Sequence, residues 1–245
     1  MAWANCAPGE TAVNTMTARI PALVAAALLI AGCGGVINEP IEVAAGEHLD
    51  GGLTTVNAPI MLRQGASVDG RLRTVNGGIT LERDASAGQV EAVNGSIRVG
   101  EGARISAAST VNGSIELGPG TEVDGRVSTV NGRITARDGV RINGDVENVN
   151  GGFFLEGTTV HGNLATANGD IELLEGTRVT GDVVISEDRT LDGDAEITII
   201  VGRDAVVEGM VIVQGDTRVN LYVHESARIG GSEGVEPEAF SGTRP

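Results

Sequence analysis

The sequence predicts an all-β protein, a three-sided parallel β-helix of 18–19 residues per coil and about nine coils. Three observations carry that expectation. A short phrase recurs seven times: TTVNAPI at Thr54, RTVNGGI at Arg73, EAVNGSI at Glu91, STVNGSI at Ser109, STVNGRI at Ser128, ENVNGGF at Glu147 and ATANGDI at Ala165. Its Asn falls at Asn57, Asn76, Asn94, Asn112, Asn131, Asn150 and Asn168, in steps of 19, 18, 18, 19, 19 and 18. Two further punctuation points travel with it. One is Gly65, Gly102, Gly120, Gly139, Gly157 and Gly176, with Asp84 in the remaining copy; the other is Gly70, Gly88, Gly125, Gly144, Gly162 and Gly181, with Ala107 as the exception. Between these turns apolar residues alternate, as in Ile115 and Leu117, then Thr121 and Val123, then Val127. A period of two means short strands with one face inward.

Asn-Gly flanked by alternating apolar residues is also a hairpin signal, so a β-meander competes. A meander reverses at every turn, and three turns per repeat would place successive copies in opposite orientations and unlike surroundings. A coil that makes one circuit per repeat puts every Asn in the same place, one strand spacing of about 4.8 Å above the last. A lone circuit buries too little to offset the ordering of 18 residues, so the sequence must repeat its solution until capped. At the corner, Asn is expected to tolerate the left-handed region and to bond the amides above and below, and the Gly beside it to accept positive φ. Asn57 is followed by Ala58 and Pro59, which suits a first coil that must not recruit another strand.

Taken in order, residues 1–32 read as a signal-peptide region. From Met16, where translation is expected to start, one Arg precedes a twelve-residue apolar stretch from Ile20 to Ala31, short for a transmembrane helix. Ile30, Ala31, Gly32 and Cys33 resemble the bacterial lipobox, which implies cleavage before Cys33 and a lipid on its thiol; Gly34 in place of Asp implies an outer-membrane destination. Residues 33–50 are an anchor linker and N-terminal cap, and 51–231 form the β-helix. After Gly181 the interruption SEDRTLDGDAE from Ser186 leads to wider terminal coils, in which Val201, Ala205 and Val207 recur 22 residues later as Val223, Ala227 and Ile229. Residues 232–245, polar and Pro-containing, read as a flexible tail.

Composition narrows the function classes. With 17 basic against 33 acidic residues the net charge is −16, which repels nucleic acid at long range, and no basic cluster offsets it. The two cysteines, Cys6 and Cys33, leave the exported body without a disulfide or a thiolate metal site. The outward column Asp69, Ser86 or Ala87, Ser106, Asp124, Asn143, His161 and Thr180 is mixed and reads as a solvated face rather than a calcium stack. Asp188, Asp192 and Asp194, with Glu187 and Glu196, form the densest acidic group; it reads as a soluble excursion, with a weak Ca²⁺ site as the alternative. His48, His161 and His224 are solitary in sequence and suggest no triad or metal set. Phe153, Phe154, Tyr222 and Phe240 are the body's only aromatics, too few for a sugar platform, and no catalytic residue, cofactor or metal ligand is nominated.

Pieces such as LGPGTEVDGRV from Leu117 and LEGTRVTGDVVI from Leu174 resemble the short-coil repeats of bactofilins, polymer-forming cytoskeletal proteins, over roughly residues 60–184 and again at 201–229. That resemblance implies a right-handed β-helix and end-to-end self-association. The VNG turn looks more like the VNGDI turns of putative-adhesin β-solenoids. The hexapeptide acyltransferases, which place a His on a left-handed β-helix, differ in their strict six-residue sides. The sequence therefore points to a non-enzymatic, lipid-anchored envelope scaffold or adhesin-like module whose partners are the membrane, through its lipid, and either itself or an envelope protein or glycan. A self-polymerising structural protein and a carbohydrate-active enzyme are the alternatives.

Overall fold

The computed structural model describes residues 38–186, 196–242 and 245. Every strand pairing among them is parallel, and no residue is helical. The chain winds through ten circuits and begins an eleventh. In coil 2 the three sides are Ile60–Leu62, Ser67–Val68 and Leu72–Asn76; in coil 5 they are Ile115–Leu117, Glu122–Val123 and Val127–Asn131. First sides stack into one sheet of 11 strands, and second and third sides merge into another of 16. In coils 3 and 4 the second corner vanishes, because Ser86–Asn94 and Arg104–Asn112 each run through it as one strand.

Register follows the repeat. Ile60, Ile79, Ile97, Ile115, Ile134, Phe153 and Ile171 are Cα partners in turn, and all are buried at 0–2% exposure. Leu72, Val90, Ala108, Val127, Val146, Leu164 and Val183 form the facing column. Because side chains alternate across a strand, a one-residue slip would turn these columns outward, so burial itself holds the register.

The first corner explains the substitution at position 84. Its central residue has φ between 55° and 76° in Gly46, Gly65, Gly102, Gly120, Gly139, Gly157 and Gly176, and Asp84 and Asp204 adopt the same conformation at 58° and 55°. Asp is among the few side chains that visit this region. The third corner works differently from the sequence expectation. None of Asn57 to Asn168 has positive φ; from Asn76 on, each ends a strand in the extended conformation. The following Gly takes the expected positive φ at Gly132, Gly151 and Gly169, at 137–154°, and it is also needed for space. A Cβ on Gly113 would lie 2.2 Å from the Gly95 carbonyl oxygen, while its N–H donates to the Asn131 carbonyl at 2.9 Å. Backbone is packed on backbone, and no side chain fits between.

Both ends extend further than expected. Ile41–Val43 and His48–Leu49 already pair with coil 2, so the β-helix begins inside the span assigned to linker and cap. At the other end, Pro237–Phe240 stacks on the tenth coil, with Leu221 against Pro237 and His224 against Phe240, so the parallel ladder continues into the span expected as a tail. Proline can begin an edge strand because no ladder bond is asked of its nitrogen.

Candidate interaction surface

The seven predicted corner asparagines stack in one column. Asn76 Nδ2 donates to Asn57 Oδ1 at 2.8 Å, and the chain of amides continues through Asn94, Asn112, Asn131 and Asn150 at 2.8–3.0 Å. It begins one step earlier than the sequence phrase, with Asn57 donating to Asn38 at 2.5 Å. Asn38 precedes Glu39 and Pro40 and so lacks the VNG signature. At the far end Asn168 is the Cα partner of Asn150 but does not extend the amide chain. Asn76, Asn94, Asn112, Asn131 and Asn150 are exposed, so the ladder edges the surface and is not a buried strut.

Inside that edge lies a polar column that sequence reading missed. In the phrase TVN it is Thr that points inward and Val that points out. Thr74, Thr110 and Thr129 are buried, and their hydroxyls donate to the carbonyls of Ala58, Gly95 and Gly113 at 2.9–3.1 Å, tying the last side of each circuit to the Asn corner from which that circuit starts. Asn148 takes the same role, donating to Gly132 O at 2.7 Å. The oxygens of the Thr55 and Thr166 hydroxyls and Asn148 Oδ1 have no partner. The recurrence of Thr two residues before Asn was the available signal, hidden because apolar alternation counts the Val.

The outward counterpart is a valine column beside the Asn ladder: Val56, Val75, Val93, Val111, Val130 and Val149. Val111, Val130 and Val149 are 38–42% exposed, and with Met210 they are the exposed large hydrophobics among the described residues; all four sit on the third side. The rest of that side is laid out by register. One outward column is Thr54, Arg73, Glu91, Ser109, Ser128, Glu147, Ala165, Val184 and Ile212. The next carries Arg71, Gln89, Ala107, Arg126 and Asp145. Arg71 and Arg73 share one carboxylate, Glu91, at 3.4 and 3.9 Å, whereas Arg126 pairs with Glu147 at 3.3 Å beside a second carboxylate, Asp145. The third side is therefore locally positive near coil 2 and locally negative near coil 6.

The other two sides are more regularly charged. All 17 basic residues are Arg. Arg98–Glu116 and Arg104–Glu122 each bridge adjacent coils at 3.1 Å. Arg63 donates to both Glu42 and Glu82 at 2.7 and 2.8 Å; these bonds raise its own pKa, and the first of them holds the Glu42 carboxyl below its ordinary value. Such exposed pairs each contribute little.

The histidines separate in the fold. His48 is not solitary: its Nε2 lies 3.3 Å from Asp50 and 3.6 Å from Asp69, in an exposed group. His161 stands exposed in the mixed column. His224 is buried, with Nδ1 accepting from the Ser226 N–H at 3.1 Å and its ring edge-on to Phe240 at 5.2 Å. Of the aromatics, Phe153 is core and Phe154 and Tyr222 are half-buried on the first side. Glu196 accepts from Asn220 at 2.6 Å, while Asp188, Asp192, Asp194 and Glu187 lie outside the described residues, as does Cys33. No helix among the described residues is long and apolar enough to cross a membrane. No protein-family model, curated protein or solved structure matches the chain.

Proposed function

We propose that this protein is a non-enzymatic, lipid-anchored β-helix of the bacterial cell envelope, held in the outer membrane through Cys33 and acting as a rigid, adhesin-like interaction module. The observation that carries the reading is the third side, where the exposed large hydrophobics gather on a regular ladder of strands. Contiguous apolar surface on an otherwise charged molecule marks an interaction site. Rigidity has its own support: corners of a few residues join the strands of coils 1 to 8, and parallel hydrogen bonding runs from coil to coil. Ten circuits at about 4.8 Å make a rod of roughly 50 Å.

The end strands favour a discrete rod over a filament. Pro237 and Glu238 occupy the last strand, Pro40 and Glu42 flank or occupy the first, and proline and charge on an edge discourage further pairing. Metabolic labelling with palmitate in the producing cell tests the anchor. Label is expected on the native protein and absent from Cys33→Ala, with the native form sedimenting with outer membranes. An unlabelled native protein overturns the reading.

A further inference from the structure

We propose that the third side binds a second copy of this chain, face to face, with the two rods antiparallel and Val111 at the centre. Charge and register both point to this pairing. Turn a copy over about a two-fold axis lying between the faces, along the strand direction and through Val111. The valine columns then meet along their length, Val75 against Val149 and Val93 against Val130. The same rotation carries Arg73 onto Glu147 and Arg71 onto Asp145, each pair occurring twice. Thus the end where two arginines share Glu91 meets the end where Asp145 stands beside the Arg126–Glu147 pair. A parallel arrangement, with the two-fold along the rod, brings each coil level with its own copy, so the Arg71–Arg73 end faces the same end and the Asp145–Glu147 end does likewise, and no opposite charges are matched.

The size is adequate. Seven coils at about 4.8 Å and a side of six or so residues at about 3.3 Å give a face of roughly 34 by 20 Å, so two copies bury about 1,300 Å², within the range of specific interfaces. Small outward residues at the centre, Ala107, Ser109 and Ser128, let the faces approach. The chain enters each rod at coil 1, so the two entry points lie at opposite ends of the pair. On the lipid-anchored reading, on which this consequence rests, paired copies would come from two opposed membranes.

The test uses the full chain in mild detergent with Cys6→Ser and Cys33→Ser, which separates pairing from anchoring. Light scattering is expected to show a species twice the 25.0 kDa chain mass. Val111→Cys should oxidise to a disulfide-linked dimer, and a mixture of Val75→Cys and Val149→Cys chains should cross-link to each other, with neither cross-linking to itself. Arg73→Glu should weaken the dimer at least about tenfold, and adding Glu147→Arg should restore it. Monomer alone up to about 100 µM, self-linking of Val75→Cys, or failure of the second charge reversal to rescue the first would overturn the proposal.

Discussion

Coils 2 to 7 and coils 9 and 10 build the same interior by different corners. In the first group each circuit closes through Asn-Gly, with an amide ladder outside as far as Asn150, a carbonyl pressed against the Gly, and in most coils a buried Thr inside. In the second group none of these is present, yet Ile199 and Leu221 continue the Ile171 column in register and Val211 continues that of Val183. Single carboxylates supply corner bonds here, with Asp170 accepting from the Thr198 N–H and Asp182 from the Met210 N–H at 2.9 Å, as Asp145 does from the Asn163 N–H at 2.8 Å between coils 6 and 7. The inward columns and the parallel ladder are therefore what make a coil stack. The Asn-Gly corner adds uniformity, giving each of these circuits the same third corner and hence an outer edge of identical groups.

The sharpest way to break this contrast is steric. Gly113→Ala places a methyl on the Gly95 carbonyl and should cost about 3 kcal/mol, read as a fall of roughly 10 °C in melting temperature. Gly231→Ala in coil 10, where the nearest atom to the new methyl is the Met210 Cε at 3.6 Å, should leave the midpoint unchanged within about 1 °C. Equal losses at both sites would mean that the corner is not specially close-packed.

The ladder comes next. Asn131→Ala removes bonds to both neighbours and should destabilise by about 1 kcal/mol in chemical denaturation. Asn168→Ala, at the point where the amide chain has stopped, should have an effect within about 0.5 kcal/mol of zero. The closing hydroxyls allow an opposite-signed pair. Thr129→Val leaves the Gly113 carbonyl without its donor and should cost about 1 kcal/mol, whereas Thr166→Val removes a buried oxygen that has no partner and should be neutral or stabilising.

The smallest effect concerns acid. Glu42 is held below its ordinary pKa by the Arg63 hydrogen bond, so its contribution is present at neutral pH and lost as pH falls below the ordinary carboxylate range and through the depressed value. Hydrogen exchange of the coil 1 amides should be faster in Glu42→Gln than in the native chain at pH 7. The two should converge under acid conditions; a difference that persists there would exclude the ion pair as its cause.

Much of this was legible because repetition fixes position. The step of 18 or 19 between asparagines gave the coil length, and the Gly65-type corner could be located even where Asp84 replaces the glycine. What escaped notice did so for physical reasons. Thr74 and Val75 exchange the usual places of polar and apolar residues, since the corner carbonyl needs a donor inside. Phe240 belongs to a strand, although Pro237 and two glutamates around it read as solvent-loving, because an edge strand needs only one side of its backbone paired. The surplus of arginine at one end of the third side and of carboxylate at the other lies in residues 70 or more positions apart, and only the winding sets them on one face.

The close stacking of the Gly113-type corners has a consequence for how such a molecule can change length. A single inserted residue on a tightly contacted corner disturbs the neighbours above and below, but a whole 18- or 19-residue unit can be added or removed with every join preserved. Reach can thus be adjusted by copying a segment of the gene, in increments of about 4.8 Å, without designing any new contact.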